Sequence, residues 1–258
     1  MVSIIFWIVG SYQLLQLFKK KLQQISLQGG PGLLIITDET RNIYPEAFLG
    51  LLVIRNVYNP DQHEELDRYK LELEKGLREK YAGLDKAYLK NMEPIRTYSD
   101  YYRKFKKTYH VLLQLESIVF KNKPIPKVAS LVETMFMAEM KNFYLTAGHD
   151  LNTIGLPIRL DVSKGYEKYI QISGNEKQLM HNDMMVSDSH GITSSIIYGP
   201  DKRTQIAPDT RNVLFVVYGL PGIEKSKVFQ HLRDIQNYVQ VISPKCKVEL
   251  LKVDAEKD

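Results

Sequence analysis

The spacing of apolar residues divides the chain into a helical part and a strand-rich part. Two short apolar runs, at 33–37 and 48–57, are typical of strands. From Leu66 to Tyr81 apolar residues then recur every three or four positions, which is the period of an amphipathic helix. The pattern predicts further helices over 92–107, 110–121 and 127–142. Beyond residue 148 it predicts strands at 156–162, 169–173, 184–188, 192–197 and 213–218, then a helix at 225–238 and a strand at 247–253.

This order of elements predicts the fold class. Helices cluster first and strands follow, without the regular strand–helix alternation that builds a parallel sheet, so the expected class is α+β. Residues 59–61 (Asn-Pro-Asp) form a turn signal before the first long helix, and Asp61 is its N-cap candidate. We find no internal repeat and no low-complexity tract.

The first thirty residues differ from the rest. An apolar run at 2–9 is followed by apolar residues at helical spacing and then by Lys19, Lys20 and Lys21. A signal peptide has the opposite order, and polar residues interrupt the run that a membrane span would need. We therefore interpret 1–30 as an N-terminal helical extension, with a signal anchor as the alternative. The glycine-rich segment 28–32 separates it from the main domain, residues 31–258.

Composition excludes several classes of protein. The 258 residues are 44% hydrophobic and 25% charged, which rules out a collagen-like or largely disordered chain. A single cysteine, Cys246, cannot form an internal disulfide or a CxxC metal clip, and a reducing cytoplasm is the expected location. The formal net charge of +5 permits an anionic partner without requiring one.

The positive charge is concentrated between residues 94 and 127. Eight basic residues lie there against only Asp100 and Glu116, and tyrosines are interleaved with them. Cations that contact phosphates and aromatic rings that stack on bases are typical of a nucleic-acid surface. The alternative is a helix with a solvated lysine face and a buried aromatic face. The predicted RNA-binding residues in this segment are Tyr102, Arg103, Lys104, Lys106 and Lys107.

Standard catalytic signatures are absent from the sequence. It contains no Walker loop, no GxGxxG after a strand, no HExxH and no GxSxG. His181, Asp183, Asp188 and His190 have metal-ligand chemistry, but His181 and His190 fall at opposite ends of the strand predicted at 184–188. The sequence therefore predicts neither a metal site nor a cofactor.

Two polar clusters remain as site candidates. His149 and Asp150 follow Gly148 in a predicted turn, where they could act as acid and base or hold the turn together. The segment 199–204 presents Lys202, Arg203 and Thr204, either as a solvated hairpin turn or as ligands for a phosphate or ribose.

Four segments together resemble a known family. They are the helical lead-in YSDYYRKFKKTYHVLLQLESIVFKNKPIPKVASLVETMF from Tyr98, TAGHDL at 146–151, DMMVSD at 183–188, and SSIIYGPDKRT at 194–204 with DTRNVLFVVYG at 209–219. In order and spacing they resemble the B3/B4 domain of the phenylalanyl-tRNA synthetase β-subunit, and more closely the free-standing proteins built around that domain. No single segment is diagnostic, and the resemblance covers roughly half of the chain.

The resemblance implies a fold and a chemistry. It implies a β-sandwich-like core of mostly antiparallel strands with helices packed on it, and an editing site that hydrolyses the ester of mischarged tRNA. By resemblance, the catalytic residues are His149, Asp150, Thr134 and Glu133, and the pocket residues are Tyr198, Gly199, Thr204 and Thr210. The synthetase carries a glutamate in a strand where this chain has only apolar residues, 213–217, so the expected ligand is an apolar side chain or something different altogether.

The predicted function is that of a cytoplasmic tRNA-binding protein of the editing type, which hydrolyses mischarged aminoacyl-tRNA in trans. Lys202 and Arg203, with the basic segment, would hold the acceptor end. We expect no DNA specificity and no membrane association, and the sequence leaves the oligomeric state open. Two alternatives stand beside this prediction: a non-catalytic RNA-binding or regulatory module, and a binder of an amino-acid-type small molecule that uses the same pocket.

Overall fold

The computed structural model describes residues 33–254, so the helical extension predicted at 1–30 lies outside the described residues. Within them, α-helices pack on two main sheets and a small two-stranded sheet. The α+β class with a β-sandwich-like, mostly antiparallel core is thereby confirmed. Among the helices of this range, none has the length and apolar content to cross a membrane.

The first sheet has five strands. In chain order they are β1 (Leu34–Ile36), β4 (Ile158–Val162), β7 (Met184–Asp188), β8 (Gly191–Ser195) and β9 (Gly199–Pro200). They lie side by side in that order, and only the β1–β4 pair is parallel. A separate hairpin of β5 (Lys168–Ile170) and β6 (Glu176–Gln178) is joined to the segment after β9 through a Gln171–Asp201 bridge and a 2.8 Å hydrogen bond from Lys202 N to Ile170 O.

The second sheet has four antiparallel strands. They are β2 (Phe48–Arg55), β3 (Thr146–Asp150), β10 (Asn212–Gly219) and β11 (Lys247–Asp254), in the spatial order β11-β2-β10-β3. The turn predicted around Gly148 is wrong, because residues 146–150 pair along β10 with Gly148 opposite Phe215. The partner strand, not the local sequence, makes this segment extended.

Seven helices are described, and they cover the predicted helical segments. They are α1 (Asp38–Ile43), α2 (Glu64–Lys80), α3 (Lys86–Asn91), α4 (Ile95–Lys104), α5 (His110–Lys121), α6 (Ser130–Asn142) and α7 (Lys225–Ile242). Asp61 is not the N-cap of α2. That residue is His63, whose Nδ1 accepts a hydrogen bond from Leu66 N at 3.4 Å, whereas Asp61 lies too far upstream to reach the first turn.

Helix α4 joins the two sheets through tyrosine hydroxyls. Tyr98 donates to the carbonyl of Tyr218 in β10 at 2.5 Å. Tyr102 donates to the carbonyl of Ile196, just after β8, at 2.7 Å, and the Tyr101 hydroxyl lies 2.9 Å from Asp183, just before β7. All three tyrosines are buried. The prediction that the tyrosines of this segment stack on bases is therefore wrong, and the alternative of a buried aromatic face is confirmed.

Candidate functional site

A cavity of about 560 Å³ lies between the two sheets and helix α6. It is bordered by α6, by β3, by the segment from Ser195 to Pro200 and by Tyr218 of β10. Most of the lining is apolar and comprises Val128, Ala129, Val132, Met135, Phe136, Leu145, Ala147, Ile172, Ile196, Ile197 and Ile206. Such a volume and lining are typical of a small-molecule site.

The mouth of this cavity is marked by lining residues that are exposed to solvent. Val128 is 37% exposed and Ile172 is 51% exposed. Tyr198 also lines the cavity, and the Nζ of Lys177 lies 4.4 Å from the centroid of its ring. Lys127, next to Val128, and Lys202 are exposed. The entrance is therefore lined by apolar side chains and has basic side chains around it.

The inner end of the cavity carries an acid. Glu139 lines it near the end of α6 and is only 1% exposed. Its Oε1 accepts a hydrogen bond from Thr146 N at 2.8 Å. Burial raises the pKa of this carboxyl to about 8, although the hydrogen bond from Thr146 acts in the opposite direction. The group is thus protonated in most molecules at neutral pH.

Sequence reasoning missed Glu139, although a signal for it exists. Val132, Met135, Phe136 and Glu139 occupy positions i, i+3, i+4 and i+7, which lie on the same helical face. A single acid within an otherwise apolar face is costly unless it is paired or functional. That interruption of the apolar stripe identifies the position.

His149 is buried although it lies on β3, an edge strand of the second sheet. It is 0% exposed, and its Nδ1 lies 2.7 Å from the hydroxyl of Thr204, which also hydrogen-bonds to Asp201. Its Nε2 has no hydrogen-bond partner among the described residues. Burial lowers the pKa of the imidazole to about 4, so the ring is neutral at pH 7. The adjacent Ala147 and Gly148 line the cavity, whereas His149 does not.

The neutral state of His149 makes stability depend on pH. Between pH 6.5 and about 4 the unfolded chain binds a proton that the folded protein excludes, so stability falls as the pH decreases. We expect the wild type to lose about 2 kcal/mol more than His149→Asn between pH 7.5 and pH 5. Urea unfolding at both pH values measures this difference, in which contributions from other groups cancel. Equal losses in the two proteins would contradict a neutral buried imidazole.

Asp150 and Thr210 form a turn contact beside β3. The carboxylate of Asp150 accepts hydrogen bonds from Asn152 N at 2.8 Å and from the Thr210 hydroxyl at 2.7 Å. The Thr210 hydroxyl also accepts a bond from Ala207 N at 2.9 Å. Of the predicted pocket residues, Tyr198 and Gly199 line the cavity, while Thr204 and Thr210 serve these neighbouring turns.

Glu133 and Thr134 lie on α6 but do not line the cavity. Glu133 is 2% exposed, and its Oε1 lies 2.9 Å from Lys70 Nζ on α2 and accepts a hydrogen bond from Val128 N at 3.0 Å. The Thr134 hydroxyl donates to the carbonyl of Leu131 at 2.7 Å. These contacts hold α6 in place, and the catalytic role of Glu133, Thr134, His149 and Asp150 stays a prediction.

The predicted RNA-binding residues of α4 and the turn after it separate into two groups. Tyr102 is 3% exposed and inaccessible to a base, so its predicted stacking role is wrong. Arg103, Lys104, Lys106 and Lys107 are exposed. Arg103 pairs with Asp100 at 2.8 Å, and Lys104 Nζ lies 5.2 Å from the Tyr44 ring centroid. Contact of the four cations with RNA stays a prediction.

Arg203 and Lys202 have different environments. The guanidinium of Arg203 makes two 3.0 Å hydrogen bonds to the carboxylate of Asp188 and a 2.8 Å bond to the Thr153 carbonyl. Hydrogen bonds from the Gly155 backbone and from Arg203 hold the pKa of Asp188 below its usual value despite burial. Arg203 thus fastens the end of β7, while Lys202 is exposed next to the β5–β6 hairpin.

The histidines and aspartates considered as metal ligands do not form a cluster in the structure. Asp183 and Asp188 lie just before and at the end of β7, and His190 Nδ1 is 3.8 Å from Asp188. In residues 33–254 no group of three or more His, Cys, Asp or Glu side chains is placed to hold a metal ion. Asp183 is instead buried against the Tyr101 hydroxyl, and burial raises its pKa to about 7.

The fold and the cavity define an α+β domain with an internal ligand-sized cavity. Residues 96–240 match the B3/4 domain family, and this range is more than half of the 258-residue chain. The chain belongs to the B3/4 domain family. The resemblance inferred from its four segments is thereby confirmed, and every cavity-lining residue falls within the matched range.

Comparison with solved structures finds a weak likeness at low identity. The crystal structure of an N-terminal fragment of the phenylalanyl-tRNA synthetase β-subunit from Pyrococcus horikoshii is 12% identical, with a TM-score of 0.45. The similarity covers 88% of this chain and 55% of that fragment, so the chain spans about half of its length. None of the curated proteins compared matches the chain.

Proposed function

We propose that this protein binds aminoacyl-tRNA, with the amino-acid side chain in the cavity and the acceptor end of the tRNA at its mouth. The observation that carries the proposal is the cavity of about 560 Å³, closed by apolar side chains within and open beside Val128 and Ile172. A side chain of an amino acid fills part of such a volume and gains binding energy by leaving water.

The charges around the mouth support an RNA ligand. Lys127, Lys177 and Lys202 border the entrance in sequence or space, and the exposed cations of α4 add to the positive charge of the domain. Phosphate contacts of this kind give affinity without sequence specificity and weaken as salt increases. The family membership and the likeness to the synthetase domain make the acceptor end of tRNA the natural candidate.

Hydrolysis of the ester is the second part of the proposal. Water would add to the ester carbonyl, the bond to the ribose oxygen would break, and free amino acid and tRNA would leave. A buried imidazole with a pKa near 4 is a weak base, so His149 would act by fixing Thr204 and β3 rather than by removing a proton. The water would then depend on backbone groups and on the hydroxyls of the tRNA itself.

A second candidate function is the binding of a free amino-acid-type small molecule. The burial of Glu139 favours this function. Glu139 is 1% exposed and lies at the inner end of the cavity, where a small ligand can bind without contacting the mouth. This function predicts stabilisation by the free ligand and no salt-dependent affinity for RNA.

Filter binding of charged and uncharged tRNA tests the proposal. We expect affinity for charged tRNA to fall roughly tenfold in Lys177→Ala/Lys202→Ala, with a salt slope lower by about 2, one for each lost phosphate contact. Lys75→Ala/Lys90→Ala, which removes two cations from α2 and α3, is the matched control and should bind like the wild type. Val132→Phe, which fills the cavity, should remove any preference for charged over uncharged tRNA.

The same samples report hydrolysis through release of the amino acid. Turnover by the wild type supports the hydrolytic part of the proposal, while binding without turnover leaves the non-catalytic module. The proposed contact between the mouth and the tRNA would be contradicted by an affinity that does not change with salt concentration. It would also be contradicted by an equal loss of affinity in the two double variants.

A further inference from the structure

Glu139 has no charged partner of its own in the described part of the chain. Its Oε1 accepts one hydrogen bond, from Thr146 N at 2.8 Å, and no ion pair includes it. The other buried carboxylates near α6 do have cationic partners: Glu133 lies 2.9 Å from Lys70, and Asp234 lies 2.9 Å from Lys141. Buried carboxylates are normally paired. Glu139 thus leaves a carboxyl group in the cavity with which a cationic group of a ligand can pair.

The position of Glu139 in the cavity defines the shape of that ligand. Ala129 lines the cavity close to the exposed Val128, and Glu139 lies ten residues further along the chain, about 15 Å along a helix axis. Val132, Met135 and Phe136 line the path between them. A ligand that enters at the mouth reaches Glu139 only with the far end of an apolar body.

The aromatic lining favours a cation at this end. Tyr102, Phe136 and Tyr218 line the cavity together with Glu139. Aromatic faces attract ammonium groups, and a carboxylate in an apolar site interacts more strongly with a cation than with a neutral donor. The Tyr102 and Tyr218 hydroxyls are already engaged, with the Ile196 carbonyl at 2.7 Å and with Ser194 at 2.7 Å. Glu139 is thus the main polar recognition group at the inner end.

We propose that Glu139 binds an ammonium group at the end of an apolar chain, so that the cavity takes an aliphatic amine or a lysine-type side chain. The identification of the ligand as an amino-acid side chain rests on the proposed function, whereas the binding of an amine does not. Such a ligand differs from the apolar side chain expected from the sequence, because that expectation took no account of Glu139 on α6.

The proton balance gives this binding a pH dependence. The empty site holds a protonated carboxyl at neutral pH, since burial raises its pKa to about 8. Binding an ammonium ion releases that proton to the buffer, so affinity increases from pH 6 to pH 8. The other titratable groups around the inner end are Tyr98 and Tyr102 of α4, Tyr109 and His110 at the start of α5, Tyr218 of β10, and His231 of α7, whose Nε2 lies 2.8 Å from the Thr146 hydroxyl.

Calorimetric titration with three six-carbon probes tests the proposal: hexylamine, hexan-1-ol and hexanoate. We expect the wild type at pH 8 to bind hexylamine at least tenfold more tightly than hexan-1-ol, and hexanoate least tightly of the three. Glu139→Gln keeps the acceptor for Thr146 N and should lose that tenfold preference together with the pH dependence. Asp183→Asn neutralises another buried acid, one that does not line the cavity, and should bind all three probes like the wild type.

Each outcome separates this inference from the proposed function. Equal affinity of the wild type for hexylamine and hexan-1-ol, or an unchanged preference in Glu139→Gln, overturns the ammonium site even if tRNA binds. Hexylamine binding that depends on Glu139 supports the site even if tRNA does not bind. Val132→Phe should weaken every probe, and a variant that binds them unchanged would show that they bind outside the cavity, which also overturns the proposal.

Discussion

Replacing Glu133 with alanine should lower the free energy of unfolding by about 3 kcal/mol, because it leaves a buried ammonium group without the more deeply buried of its two carboxylate partners. Lys70 is 7% exposed and Glu133 is 2% exposed, with 2.9 Å between Nζ and Oε1. The substitution also removes the acceptor for Val128 N. Asp67, 2.9 Å from the same Nζ, still pairs with Lys70, which keeps the loss at the lower end of the range for broken buried pairs.

Asp100→Ala is the matched control for this substitution. Asp100 and Arg103 form an ion pair of 2.8 Å, but their side chains are 53% and 65% exposed. Pairs so accessible to solvent contribute roughly 1 kcal/mol or less. Urea unfolding of both variants therefore compares a buried pair with an exposed one. If Glu133→Ala costs no more than Asp100→Ala, the Lys70–Glu133 pair does not hold α6 in place.

Replacing Gly219 with alanine should destabilise the protein by about 3 kcal/mol, because the new methyl group meets a ring that cannot move away. Gly219 is the last residue of β10 and lies opposite Phe48 in the register with β2. A Cβ at this position would lie 2.4 Å from two atoms of the Phe48 ring, well inside van der Waals contact. Phe48 is 2% exposed and packed on all sides, so relief requires a shift of the strand pair.

Gly76→Ala is the opposite control. Gly76 lies within α2 and is exposed, and an added Cβ meets no atom within 4 Å. Alanine is favoured over glycine within a helix by about 1 kcal/mol, so this variant should be more stable than the wild type. Thermal or urea unfolding gives both values. The same sign of effect in the two variants would contradict the close approach of Phe48 to β10.

Local sequence predicted most elements, including α6, but not strand β3, which borders the cavity. The spacing of apolar residues predicts the amphipathic helices and the apolar strands β2, β7 and β10. Strand β3 does not, because Thr146–Asp150 contains a glycine and three polar side chains, and only the ladder with β10 makes it extended. His149 consequently has a different environment from the one expected in a turn.

The chemistry of the cavity depended on contacts that no local pattern encodes. The tyrosines of α4 lie among lysines in the sequence, and only the positions of the two sheets show that their hydroxyls reach backbone carbonyls. The same holds for Glu139. Its spacing in the sequence places it on an apolar helical face. Its lack of a cationic partner follows only from the structure, in which Lys70 and Lys141 pair with other carboxylates.

The link that α4 makes between the two sheets limits where a ligand can enter. Tyr98 and Tyr102 bond to opposite sheets and so oppose their separation. Entry is left to the mouth, where Ile172 lies near the tip of the β5–β6 hairpin. That hairpin is attached to the segment after β9 by few backbone bonds, so its movement would widen or narrow the mouth and change the rate of ligand exchange.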